Sequence, residues 1–259
     1  MPMAILVGPG GLGTPAEKGI DKYKKAGLGC AEVEFTHSIY MDNMRAKEVG
    51  DYAKKQGILL SIHAPYFLNL VSQKKSVIIQ SMRSILKCAE LGHHMGAKYI
   101  VFHSGYYSGR TKDEAFEMVE HAIKEMNGVI SENDWNVMLA PETTGKVSQF
   151  GDIDELSEMH KRTGCAVCVD FAHMRAKYNG KIDFKYVCDK MKQFKFSPLH
   201  LHMSGITWGP KGEKAHKLTP LDELKEVLHW LKKYNFSVTM INESPDTFGD
   251  AVKTVKLLR

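Results

Sequence analysis

The sequence predicts an α/β chain folded as one closed (β/α)8 TIM barrel. Three observations carry that expectation. Short apolar runs alternate with longer amphipathic runs, and the alternation repeats eight times along 259 residues. That length sits close to the usual size of one such barrel. No linker, charge block or low-complexity segment divides the chain, so residues 1–259 read as a single domain.

The expected strands are 4–8 (AILVG), 31–35 (AEVEF), 59–64 (LLSIHA), 99–104 (YIVFHS), 136–142 (NVMLAPE), 165–171 (CAVCVDF), 199–205 (LHLHMSG) and 237–243 (SVTMINE). Each is short, rich in Val, Ile and Leu, and mostly bounded by Gly, Pro, Asn or Ser, as strands buried on both faces should be. Between them lie helical patterns such as 75–95 and 112–130, with apolar residues at three- and four-residue spacing and Lys and Glu between. Gly57, Gly96 and Gly164 each precede a strand, where a helix needs a left-handed stop.

Composition narrows the setting. With 43% apolar and 25% charged residues the chain is that of an ordinary soluble globular protein, and no run reaches the roughly 18 apolar residues of a membrane span. The first residues, MPMAILVG, carry neither a basic region nor a cleavage signature, so no secretory signal is expected. Five scattered cysteines, an odd number, suggest no disulfide framework; Cys165 and Cys168 read as buried small residues of a strand. A reducing, cytoplasmic setting follows. The net charge of +5 permits an anionic partner such as nucleic acid, and no feature marks an obligate protein partner.

The polar residues gather where barrels build sites, at the carboxyl ends of the strands. His63 ends the third strand, His103 the fourth and Glu142 the fifth. Asp170, with His173 just beyond, ends the sixth; His202 lies near the end of the seventh, His216 in the loop after it, and Glu243 ends the eighth. A single histidine at a strand end is usually a hydrogen-bonded core or loop residue. So many imidazoles and carboxylates converging on one low-dielectric bowl would be costly without cations. The mixture suits zinc or manganese better than calcium. His93, His94, His121, His160 and His229 fall on outer helices and are expected to have no part in the site. His200 shares a face with His202 and is either its supporting partner or a packed core residue; His37, near the second strand, is left open.

The segments IHAPYFLNL (62–70), VFHSGYY (101–107), PETTGKVSQFG (141–151), CVDFAHMRAKYNG (168–180), HLHMSGI (200–206) and NESP (242–245) resemble, in order, the endonuclease IV family of AP endonucleases, particularly its shorter archaeal-type members. The resemblance implies a zinc-dependent hydrolase of base excision repair that cuts double-stranded DNA 5′ to an abasic site and leaves a 3′-hydroxyl. It implies three metals, or manganese in their place. His63, His103 and Glu142 would hold the first; Glu142, Asp170, His202 and Glu243 the second; His173 and His216 the third. Glu142 would also anchor the attacking water and act as the catalytic residue. The family has an Asp two residues before the last His, where this chain has Lys214; Glu213, one residue away, is the candidate replacement. Two metals are therefore expected firmly, and the third depends on this loop. Tyr66 and Phe67 match the wedge that opens the abasic nucleotide. The wedge Arg has no counterpart, His37 and Tyr40 being nearest; Trp208, Lys211, Lys214 and Lys217 would serve phosphate contact. A sugar isomerase or epimerase on the same barrel is the alternative, needing only the Glu142, Asp170, His202 and Glu243 set. A catalytically silent metal or nucleic-acid binding protein is the third.

Overall fold

A computed structural model describes residues 3–259; Met1 and Pro2, part of the stretch read for a leader, lie outside the described residues. Strands and helices alternate as β1 (Ile5–Pro9), α1 (Ala16–Ala26), β2 (Cys30–Glu34), α2 (Asn43–Gln56), β3 (Leu59–His63), α3 (Lys75–Met95) and β4 (Tyr99–Phe102). The order continues through α4 (Lys112–Glu132), β5 (Met138–Pro141), α5 (Ile153–Thr163), β6 (Cys168–Asp170), α6 (Phe171–Lys177), α7 (Phe184–Met191) and β7 (Leu199–Met203). A hairpin of β8 (Gly205–Gly209) and β9 (Gly212–Lys217) follows, then α8 (Leu221–Lys233), β10 (Val238–Asn242) and α9 (Thr247–Leu258).

The barrel is two parallel four-stranded sheets, β2-β3-β4-β5 and β1-β10-β7-β6, joined at their seams by single bridges. Gly10 pairs with Glu32 at one seam and Glu142 with Cys168 at the other. Both seams therefore run through residues of the bowl described below. Most strand limits lie within two residues of expectation. The sixth is the exception: it begins at Cys168 instead of 165, and Phe171 already belongs to α6 because the Asp170 carboxylate caps that helix, accepting from His173 N at 2.7 Å. The seventh stops at Met203, since Gly205 opens the hairpin.

Outward-facing apolar residues hold the helices on. Ile62 and Ile100 close on Gly92 of α3, where an added Cβ would meet Ile100 at 2.6 Å. Each such fully buried side chain contributes about 1.5–3 kcal/mol. Gly57, Gly96 and Gly164 end α2, α3 and α5 at φ 73°, 71° and 71°, and capping boxes at Thr111/Glu114 and Asp152/Glu155 start α4 and α5. His160 is more than a surface residue of α5: it is buried, donating from Nδ1 to the Cys165 carbonyl at 2.6 Å and accepting from Lys195 N at 3.0 Å. All five cysteines are buried and unpaired, and no helix among the described residues is long and apolar enough to cross a membrane.

Candidate metal centre

The strand ends open into a bowl of about 510 Å³ whose wall includes His63, His103, His173, Glu213, His216 and Glu243. At its floor Glu142 gathers four imidazoles. Its Oε2 lies 3.1 Å from His63 Nε2 and 2.8 Å from His103 Nε2; its Oε1 lies 3.1 Å from His202 Nδ1 and 3.2 Å from His173 Nδ1. His202 Nδ1 is also 3.2 Å from Glu243 Oε1. Donor atoms of Glu142, Asp170, His202 and Glu243 all fall within 4.8 Å of one another, and so do those of the trio His63, Glu142 and His202 and of the trio His103, Glu142 and His173.

Asp170 uses one oxygen to cap α6 and leaves the other, Oδ2, buried without a hydrogen bond. A sealed, unsatisfied carboxylate oxygen costs about 1–3 kcal/mol or more, unless something coordinates it. Charge makes the same demand. Burial alone would lower the His63 pKa, but the Glu142 carboxylate it bonds, with Glu32 and Glu243, raises it to about 9. Burial likewise opposes the charging of His173 and His202, and the surrounding carboxylates lift both well above the usual imidazole value. Asp170 is raised by burial and by the charges of Glu142 and Glu243. The cluster draws in positive charge, and divalent cations on its nitrogen and oxygen donors would meet that demand.

The third group sits on the hairpin. Glu213 lies 3.8 Å from both His173 Nε2 and His216 Nε2, and the three have donor atoms within 4.8 Å of one another. Alternation along a regular strand would put Lys214, not Glu213, on the face of His216. The pairing explains the outcome: Ile206 faces His216 and Thr207 faces Ala215, but Trp208 faces Glu213, with a register shift between Thr207 and Trp208. Lys214 is the extra residue of a β-bulge. It lies exposed along Gly209, and Glu213 is turned onto the His216 face.

The rim residues divide. Tyr66 lines the bowl, its ring 5.2 Å from that of His63, and Phe67, next in the chain, is exposed. Lys211, Lys214 and Lys217 are exposed on the hairpin, and His37 and Tyr40 are exposed after β2. Trp208, expected at the phosphate, instead turns onto α6: it packs on Ala172, Ala176 and Ile206, and its indole N–H donates to Asn179 Oδ1 at 3.2 Å.

Sequence reasoning missed two acids on β2. Glu32 is fully buried between His200 and His202, and Glu34 enters the bowl beside His63. The signal was present in AEVEF, whose polar residues alternate with apolar ones, where a strand buried on both faces should be apolar throughout. Lys146 was missed too; its ammonium lies 3.4 Å from the Tyr106 hydroxyl on the bowl wall. Cys168 lies within reach of His200 and His202, but burial pushes its thiol well above the usual range and keeps it neutral.

Relatives agree with this architecture. An uncharacterised protein of Methanocaldococcus jannaschii is 34% identical over 97% of this chain and 96% of its own length. A probable endonuclease 4 of Mycoplasma pneumoniae is 30% identical over 61% of this chain, and the match spans only 57% of that relative. Among solved structures, endonuclease IV from Thermus thermophilus has a TM-score of 0.70 at 18% identity, covering 100% of this chain and 98% of its own. The 3-keto-D-glucoside 4-epimerase of E. coli has a TM-score of 0.72 at 14% identity, covering 98% and 99%. Likeness at those identities establishes the barrel alone. The profile of the xylose isomerase-like TIM barrel family matches residues 20–259, and this chain belongs to that family.

Proposed function

We propose that this protein, acting as a single domain, is a metal-dependent AP endonuclease that hydrolyses double-stranded DNA 5′ to abasic sites and leaves a 3′-hydroxyl, in base excision repair. The observation that supports it is the surplus of donors. A sugar isomerase with one cation needs Glu142, Asp170, His202 and Glu243; here His63 and His103 also converge on Glu142, and His173, Glu213 and His216 form a further group. Zinc, or manganese, bound by these residues would supply Lewis acidity and a water acidic enough to attack phosphorus at neutral pH.

The protein's own groups have distinct tasks. Glu142 turns separate oxygens to the His63/His103 side and the His202 side, so it is the residue to orient a water between them. Asp170 and Glu243 complete the second group, and the hairpin supplies the third. Tyr66 and Phe67, both exposed, offer apolar surface against unstacked bases. Lys211 and Lys214 on the hairpin, and Lys146 on the wall, would meet phosphates. Five buried, unpaired cysteines are in keeping with a cytoplasmic protein.

The test is incision. Protein loaded with Zn²⁺ or Mn²⁺ is expected to cut a duplex carrying one tetrahydrofuran abasic analogue and to leave a 3′-hydroxyl, with Glu142→Gln inactive. Absence of cleavage by metal-loaded protein overturns the reading. The second reading, ketose epimerisation, is favoured by Glu34, an additional carboxylate in the bowl suited to sugar hydroxyls; epimerase activity without incision would establish it. Metal binding without either activity would leave the silent binding protein.

A further inference from the structure

Three imidazoles of the centre are oriented from behind by the backbone. His63 Nδ1 donates to the Ala64 carbonyl at 2.7 Å, His173 Nδ1 to the Thr143 carbonyl at 3.0 Å, and His216 Nδ1 to the Glu243 carbonyl at 3.1 Å. A carbonyl only accepts, so in each ring the proton sits on Nδ1 and Nε2 is the atom left for the centre. His202 is reversed. Its Nδ1 faces Glu142 and Glu243, and its Nε2 lies 2.9 Å from Glu32 Oε1, a side chain reaching across the barrel from β2.

Glu32 is itself held. Its Oε2 accepts from Ser61 Oγ at 2.6 Å and from His200 Nε2 at 3.0 Å. Because the carboxylate only accepts, His200 carries its proton on Nε2, and its Nδ1 takes the Thr239 hydroxyl at 2.8 Å. All of Glu32 that remains is Oε1. That oxygen and His202 Nε2 are both buried and make no other hydrogen bond; they face each other at 2.9 Å, close enough for a small turn of either side chain to bring them into line. The proton of His202 can sit on either ring nitrogen, facing Glu142 across 3.1 Å from Nδ1 or Glu32 across 2.9 Å from Nε2. A donor set that takes up the Nδ1 lone pair forces the proton to Nε2, and the unsatisfied acceptor is already there.

We infer that Glu32 is the positioning carboxylate of the centre: it receives the Nε2 proton of His202 and so fixes the tautomer whose Nδ1 lone pair faces Glu142, Asp170 and Glu243. Ser61 and His200 keep Glu32 in place for that task. Such outer carboxylates orient a ligating imidazole and raise its basicity, and their loss typically weakens metal binding roughly 10–100-fold. The inference rests on reading the bowl as a metal centre, and it holds for hydrolysis and for sugar chemistry alike.

Two measurements test it on the full-length protein. In zinc-loaded protein with ¹⁵N-labelled histidine, His202 is expected to carry its proton on Nε2; a proton on Nδ1 overturns the inference. By competition with a chromophoric chelator, Glu32→Gln is expected to bind one zinc, the one His202 would hold, about 10–100-fold less tightly, and Ser61→Ala, which removes one donor to Glu32, to lose less. Circular dichroism and the melting temperature of the metal-free variants separate misfolding from lost affinity, and the nitrogen assignment in the unaltered protein stands even if Glu32→Gln does not fold. Zinc binding by the unaltered protein with full affinity retained in Glu32→Gln refutes the inference alone. No zinc binding by the unaltered protein refutes the metal-centre reading and the inference with it.

Discussion

The two halves of the candidate centre are built by different means. His63, Glu142, Asp170 and His202 are buried at the ends of barrel strands, with His103 and Glu243 only slightly more open. Their places follow from the parallel register, which puts His63 opposite Val101 and His202 opposite Asp170. Glu213 and His216 sit on a two-stranded hairpin, their side chains 20% and 24% exposed, and share a face only through a bulge. A strand end in a closed barrel cannot slip without moving every neighbour; a hairpin can lose or gain a residue. The first half is therefore insensitive to local sequence, and the second depends on one position.

The largest expected effect lies in the first half. Glu142→Gln keeps the shape but removes the charge that four imidazoles share, and incision should fall roughly 10³-fold or more, as when a member of a cooperating catalytic unit is removed. Rates within tenfold of the unaltered protein would break the assignment of Glu142. In the second half, Glu213→Ala should reduce bound metal by one equivalent and incision by about 10–100-fold, whereas Lys214→Ala should leave bound metal unchanged. Deleting Lys214 gives the sharper test. It removes the bulge residue and places Glu213 two residues before His216, where plain alternation puts both on one face. Metal content by mass spectrometry should be retained; its loss would show that the bulge itself, and not the shared face, builds the group.

What was legible in the sequence follows the same division. Eight strands and most strand-end acids and imidazoles could be read, because period and position alone fix them in a barrel. Glu213 could be named only as a replacement, since the register shift that turns it inward is a property of the pairing with Thr207 and Trp208. The packing of Trp208 was hidden for the same reason: the sequence shows an aromatic residue in a loop, whereas on β8 it shares the face that packs on α6. Glu32 escaped because its partner His200 is 168 residues away: the alternation in AEVEF marks a polar face on the strand, but not what that face meets inside the barrel.

A smaller effect is expected at Phe67 on the rim. Phe67 is 60% exposed, so Phe67→Ala should leave metal content and melting temperature unchanged. It should raise KM for the abasic duplex about tenfold, in line with the roughly 1–3 kcal/mol of one lost base-stacking contact. An unchanged KM would remove Phe67 from the wedge.

The smallest effect probes the carboxylate crowding of the buried half. Burial, then the neighbouring charges of Glu243 and Glu32, raises the Glu34 carboxyl to about 7. The sign follows from linkage: a carboxyl raised in the folded state favours folding below its ordinary value and opposes it as pH rises toward the folded value. The metal-free protein should therefore lose stability between about pH 4.5 and about 7 through this group. Glu34→Gln removes the charge and should raise the metal-free melting temperature at pH 8 by about 2–4 °C, the response of a chain this size to about 1 kcal/mol. At about pH 4, below the ordinary carboxyl value, the two proteins should melt together. Saturation with zinc should shrink the difference, because cations among His63, Glu142 and Glu243 offset the same repulsion.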